Sequence, residues 1–210
     1  MKSLSQSSRL TVFLAAMFLV DPALLKAAKP NTPSATLMIL VYNYARLPER
    51  GLDRAESEAN RVFQQAGLKT VWVGCPVTAV EASGLSSCPK EANPRDLVLK
   101  IIPQFNAKRE GFSDSLFGFA AGFQVSVISE RVEDIARASD CLPSKILGLM
   151  IAHEIGHALL GPHSHSPHGI MRPLWGENDF RMATRLSLRF ENEQVARIRL
   201  SLSIRAVSGE

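Results

Sequence analysis

The chain has 210 residues, 46 % of them hydrophobic and 21 % charged, which suits one ordinary domain and excludes a disordered tail, a collagen-like rod or a long coiled coil. Its 24 basic and 20 acidic residues leave a formal net charge of +4 with no basic block, so no nucleic-acid partner is expected. Three cysteines are too few for a disulfide scaffold.

The first 28 residues read as a segment apart. Lys2 and Arg9 sit in a polar start, and eleven apolar residues follow from Leu10 to Val20 (LTVFLAAMFLV). A bilayer span needs about 20 residues, so the run is too short for one and matches the apolar middle of a secretory signal. Ala23 and Ala28 each offer a small residue before a cut, although Asp21 and Lys26 then occupy the position two before it. Residues 1–28 are therefore expected to be a signal peptide, or an N-terminal anchor if uncleaved, and the protein to be secreted or periplasmic. Nothing else in the chain is long and apolar enough to span. Residues 29–35 read as a proline-broken linker and residues 36–210 as the folded domain.

Within the domain, residues 36–44 (TLMILVYNY) are dense in strand formers, with a continuous apolar start that suits a central strand. After Pro48 and Gly51, Leu52, Ala55, Ala59, Val62, Phe63 and Ala66 recur at helical spacing, and Gly67 supplies a stop. Residues 69–73 read as a second strand. Cys75 and Cys88 bracket a loop rich in proline, serine and glycine, which an oxidising compartment would let them close; three thiols that never meet is the alternative, and Cys141 is left over. Residues 96–102 read as another strand, 119–129 as extended chain, and 132–138 as a short helix or turn. The clearest helix spans 144–160, between Pro143 and Gly161-Pro162. An amphipathic helix over 191–204 closes the domain, with Val195, Ile198, Leu200 and Leu202 apolar and Arg197, Arg199 and Arg205 towards its end. Strands first and helices late make this an α+β domain with a mixed sheet.

All five histidines lie between His153 and His168, in the stretch HEIGHALLGPHSHSPHGIM. Residues four apart share a helix face, so His153 and His157 can direct two imidazoles at one metal ion. Glu154 lies about 100° round from His153, beside the ligands, where it can reach a water activated by the metal. Ile146, Leu147, Leu149, Met150, Ile151, Ile155, Leu159 and Leu160 make this helix apolar nearly all round, hence buried. Two histidines and a glutamate buried without partners would be costly, and a metal with water would satisfy them. Gly148, Ala152 and Gly156 form a small-residue stripe expected to bring the helix backbone close to the sheet.

The stretch resembles the zincin metallopeptidases, and within them the metzincins, in the HExGHxL style of the matrixins. It is also similar, in the HSPHGIM arrangement, to small exported bacterial zincin-like proteins of unknown activity. The resemblance covers about twenty residues directly. It implies a zincin-like domain, a single zinc ion, a peptide or protein substrate, and Glu154 as general base. His153 and His157 become metal ligands, joined by His163 on the metzincin count or by His165 in the second arrangement. His165 is preferred, and both stay open. Met171 (in GIM) would pack beneath the metal, and an edge strand within 119–129 would hold an extended peptide. Two departures stand out: Leu160 occupies the place of the expected glycine, which arrives one residue later as Gly161, and no tyrosine follows Met171. Arg172 is a candidate electropositive substitute, with a plain salt bridge as its bland alternative. The expected function is an exported zinc metalloendopeptidase. The alternative is an exported, non-catalytic zinc-binding protein with a degenerate site.

Overall fold

The computed structural model describes residues 36–84, 87–91, 93, 95–106, 116–176, 179–180 and 188–207. The expected leader (1–28) and linker (29–35) lie outside the described residues. The domain opens with β1 (Thr36–Asn43), α1 (Glu49–Gln65), β2 (Lys69–Cys75), the short α2 (Ala79–Ala82) and β3 (Leu97–Ile102). It continues through β4 (Gly118–Ala121), β5 (Gln124–Ile128), α3 (Ser129–Ser139), α4 (Pro143–Leu160) and a last helix, α5 (Asn192–Val207).

Five strands form one sheet in the order β2-β1-β3-β5-β4. The first four pair in parallel, and β4 runs antiparallel against β5, which makes it the edge strand on that side among the described residues. A parallel pair needs a crossover, and α1 provides it between β1 and β2. The extended stretch expected over 119–129 is thus two strands: Gly122, at φ +58°, takes the positive φ that a tight hairpin turn requires. The expected short helix or turn at 132–138 is the full helix α3, which starts directly at the end of β5.

Helix α1 buries Ala55, Ala59, Val62 and Phe63, the stripe its periodicity announced. Pro48 precedes it and lets it begin at Glu49, three residues earlier than the apolar spacing alone suggests. Helix α4 is buried on nearly every side and packs against α1, α3, β4, β5 and α5. Its small residues do not face the sheet as expected. A methyl group on Gly148 would strike the Ala55 carbonyl oxygen and lie 2.7 Å from Glu58 Cβ, so the close approach is to α1. One on Gly156 would strike Met171 Sδ and lie 2.9 Å from Phe190 Cε1. The two glycines admit the α1 backbone at Gly148 and the side chains of Met171 and Phe190 at Gly156.

Helix α5 begins and ends within a few residues of expectation, and it buries Ile198 while leaving Leu200 61 % exposed. Two of its arginines serve other helices. Arg197 donates to Leu160 O at 3.0 Å and Arg199 to Ala66 O at 2.9 Å, satisfying carbonyls at the C-terminal ends of α4 and α1. Cys75 and Cys88 form a disulfide whose loop carries α2, and Cys141 is free. Among the described residues no helix is long and apolar enough to cross a membrane.

Candidate metal centre

Helix α4 carries His153, Glu154 and His157 in its C-terminal half, all within a wall of aliphatic neighbours. Proline suits the first turn of a helix, where no intrahelical partner awaits its missing N–H, so Pro143 marks the start. The helix ends at Leu160, and Gly161 turns the chain away at φ +91°. This is one residue later than the metzincin pattern implies. The following turn places His163 in the left-handed region, at φ +58°, with its side chain exposed. The chain then doubles back: Ser164 is buried, and His165 returns to the helix.

The ligating atoms of His153, His157 and His165 lie within 4.8 Å of one another. His157 Nε2 stands 3.1 Å from His153 Nε2 and 3.1 Å from His165 Nε2. His163 is not part of this convergence, and His168 is exposed. The outer nitrogens are already engaged. His153 Nδ1 donates to the Ile170 carbonyl oxygen at 2.7 Å, and His157 Nδ1 lies 3.0 Å from Ser164 Oγ. With its single ring proton on Nδ1, a neutral imidazole presents a bare lone pair at Nε2. Bare lone pairs facing each other at this distance repel unless a cation lies between them.

The donor set fits zinc. Three imidazole nitrogens, each about 2.1 Å from one tetrahedral ion, would lie about 3.4 Å apart, close to the two separations of 3.1 Å found here. Outer hydrogen bonds to a backbone carbonyl and a hydroxyl are the partners that orient metal-bound histidines. Electrostatics agree. Burial, more than the neighbouring His165, pushes the His153 imidazolium down to about 4, and burial with its two histidine neighbours does the same to His157. His165 is lowered by burial and by His163. Neutral imidazole is the ligating form.

Glu154 points to the same cleft and is 5 % exposed. Burial raises its carboxyl to about 8. It lies beneath the edge strand: a methyl group on Gly118 would come within 2.8 Å of Glu154 Cγ and 3.0 Å of Cδ. Gly118 therefore gives the acid its room, a role no feature of the sequence announced. Ser164 and the Ile170 carbonyl were also missed, although a serine between two histidines is a visible signal. Met171 is fully buried with its sulfur against Gly156, as the packing role expected for it requires. Arg172 is tied to Asp179 at 2.5 Å, which is the plain salt bridge.

The cleft, about 580 Å³, runs between β4 and the second half of α4 and continues to Pro162, His165 and Pro173. Apart from Glu154 and the three histidines, the described residues lining it are apolar or glycine. A second cavity of about 510 Å³ lies at the other end of α4, between α1 and α3, away from this chemistry.

No protein-family model matches the chain, and no curated protein does. Among solved structures it is similar to a zinc-dependent peptidase from Methanocorpusculum labreanum, with a TM-score of 0.52 and 14 % identity over 76 % of this chain and 99 % of that one. It is also similar to the archaemetzincin of Methanopyrus kandleri, with a TM-score of 0.48 and 18 % identity over 84 % of this chain and 99 % of that one. The first likeness, spanning nearly all of the neighbouring protein, shows a common architecture: this chain folds as an α+β domain with a five-stranded mixed sheet, as that zinc-dependent peptidase does.

Proposed function

We propose that the protein is an exported zinc-dependent metalloendopeptidase. The observation that carries this reading is the convergence of three Nε2 atoms beside a nearly buried glutamate in an open cleft. His153, His157 and His165 would hold one zinc ion, which supplies a Lewis acid that lowers the pKa of water and stabilises negative charge developing on oxygen. Ile170 O and Ser164 Oγ keep His153 and His157 turned towards the ion. Glu154 accepts a proton from the attacking water on its carboxylate and delivers it to the departing amide nitrogen. Burial raises the Glu154 carboxyl in the metal-free site, and the charge of a bound zinc would draw it back towards the carboxylate that a base must be.

An extended peptide would lie along the cleft beside β4, which among the described residues is the edge strand of the sheet. Once seated, it covers Glu154 from bulk water. Export is supported by the N-terminal pattern of residues 1–28 and is consistent with the Cys75–Cys88 disulfide.

The test is zinc content and peptide turnover of the purified protein and of Glu154→Gln. The variant should keep one zinc per chain and lose turnover by at least a thousandfold; full activity would reject Glu154 as the base. The engagement of Arg172 by Asp179, with no tyrosine after Met171, favours a second reading, a non-catalytic exported zinc-binding protein. In that case native protein and Glu154→Gln hold zinc alike and neither cleaves any member of a fluorogenic peptide library.

A further inference from the structure

Next to His153, the described residues Arg172, Trp175, Gly176, Asp179 and Phe180 are tied to one another in a compact strap. Trp175 stands edge to face against His153, with ring centroids 5.7 Å apart and planes at 90°. Its indole Nε1 donates to Arg172 O at 2.9 Å, which fixes the ring's orientation. The Arg172–Asp179 ion pair closes the strap, and the other Asp179 carboxylate oxygen accepts from Gly176 N at 2.9 Å. Trp175 also packs on Phe180, centroids 5.4 Å apart, and Phe180 is buried. Trp175 is not among the described residues that line the cleft.

We infer that Trp175 is a positioning residue for His153, acting on zinc affinity through the imidazole and not through substrate; this rests on the metal-centre reading above. The Ile170 carbonyl holds His153 through Nδ1, and a single hydrogen bond does not by itself set the tilt of the ring about it. An indole held perpendicular to the ring limits that tilt and keeps water from one flank of the ligand. Arg172 and Asp179 thereby gain a purpose: they hold the indole in place. Outer contacts of this kind change metal affinity by about 10- to 100-fold, and an aromatic contact without a hydrogen bond belongs at the lower end.

The experiment is a titration of metal-stripped full-length protein with zinc against a competing chelating dye. The chain has two tryptophans, so Trp72→Phe leaves Trp175 as its sole indole reporter. Trp175 emission should change saturably and level off at one zinc per chain. Trp175→Ala should weaken zinc binding about tenfold with the metal-free melting temperature little changed. Trp175→Phe should recover affinity to within threefold of native, and Asp179→Asn, which loosens the strap but keeps the indole, should lose part of it. Native affinity in Trp175→Ala, or emission indifferent to bound zinc, overturns the inference. So does a Trp175→Ala protein that is unfolded without metal and is not restored by phenylalanine, since the role is then structural. If the native chain itself takes no zinc, the metal-centre reading has failed, and that result is distinct from every other.

Discussion

Replacing Gly118 by alanine tests whether the edge strand and the acid are packed as one unit. The new Cβ would lie 2.8 Å from Glu154 Cγ and 3.0 Å from Cδ, and closer still to the Ser126 carbonyl oxygen. Ordinary contact is about 3.4 Å or more, so the neighbours must give by about half an ångström or more. β5 is held between β3 and β4, and α4 is buried, so neither yields easily; β4, whose strand pairing among the described residues is with β5 alone, is the element that moves. Overpacking of this kind costs about 1–3 kcal/mol. For a domain of this size that lowers the melting temperature by about 2–12 °C. The catalytic effect should be larger in proportion, because a displacement near 1 Å in a reacting constellation can cost about a hundredfold. Thermal unfolding, zinc content and kcat/KM on a fluorogenic peptide read the three effects separately. Zinc should stay at one per chain while kcat/KM falls at least tenfold. Gly74, where a methyl group would meet nothing within 4 Å, is the control, and Gly74→Ala should be nearly silent. A Gly118→Ala protein with native melting temperature and native turnover would refute the packing argument.

Ser164→Ala removes the hydroxyl at His157 Nδ1 and should weaken zinc binding by about 10- to 100-fold, measured by dye competition. The double variant Cys75→Ser/Cys88→Ser opens a loop with a sequence separation of 13 and should cost about 3 kcal/mol of stability in denaturant titrations. Because His153 and His157 are held down to about 4, protons compete with zinc at these two only in strong acid. Between pH 7.5 and 5.5 they should together change affinity less than twofold, whereas two ordinary imidazoles would lose about a hundredfold. The same depression makes the metal-free domain lose stability as pH falls from about 6.5 through 4, since the unfolded chain then binds more protons. Glu154, raised to about 8, acts in the opposite sense: its contribution fades as pH rises from about 4.5 through 8. Metal-free Glu154→Gln should therefore melt several degrees above the native chain at pH 9, and the gap should close near pH 4. Parallel melting curves at every pH would contradict the burial of Glu154.

Much of the site was legible because it depends on local geometry. A helix stacks residues four apart whatever surrounds it, so the pairing of His153 with His157, and the place of Glu154 beside them, follow from spacing alone. The aliphatic wrapping of α4 announced its burial, and proline and glycine announced its ends. The cysteine spacing allowed a staple between Cys75 and Cys88, and strand-forming composition placed β1 to β3 nearly to the residue.

The tertiary structure shows which histidine converges with His153 and His157, where spacing left His163 and His165 both open. Beyond Gly161 the chain has no repeating period, and the turn at His163 and the anchoring of Ser164 determine that His165 comes back to the helix. It also decided that the small residues of α4 meet α1 and the methionine turn, that Arg197 and Arg199 serve the ends of other helices, and that Gly118 makes room for Glu154. Each of these contacts joins positions far apart along the chain. Hydrogen-bond periodicity sets distances within one element, while distances between elements come from how whole surfaces pack, and that information is spread over the entire core.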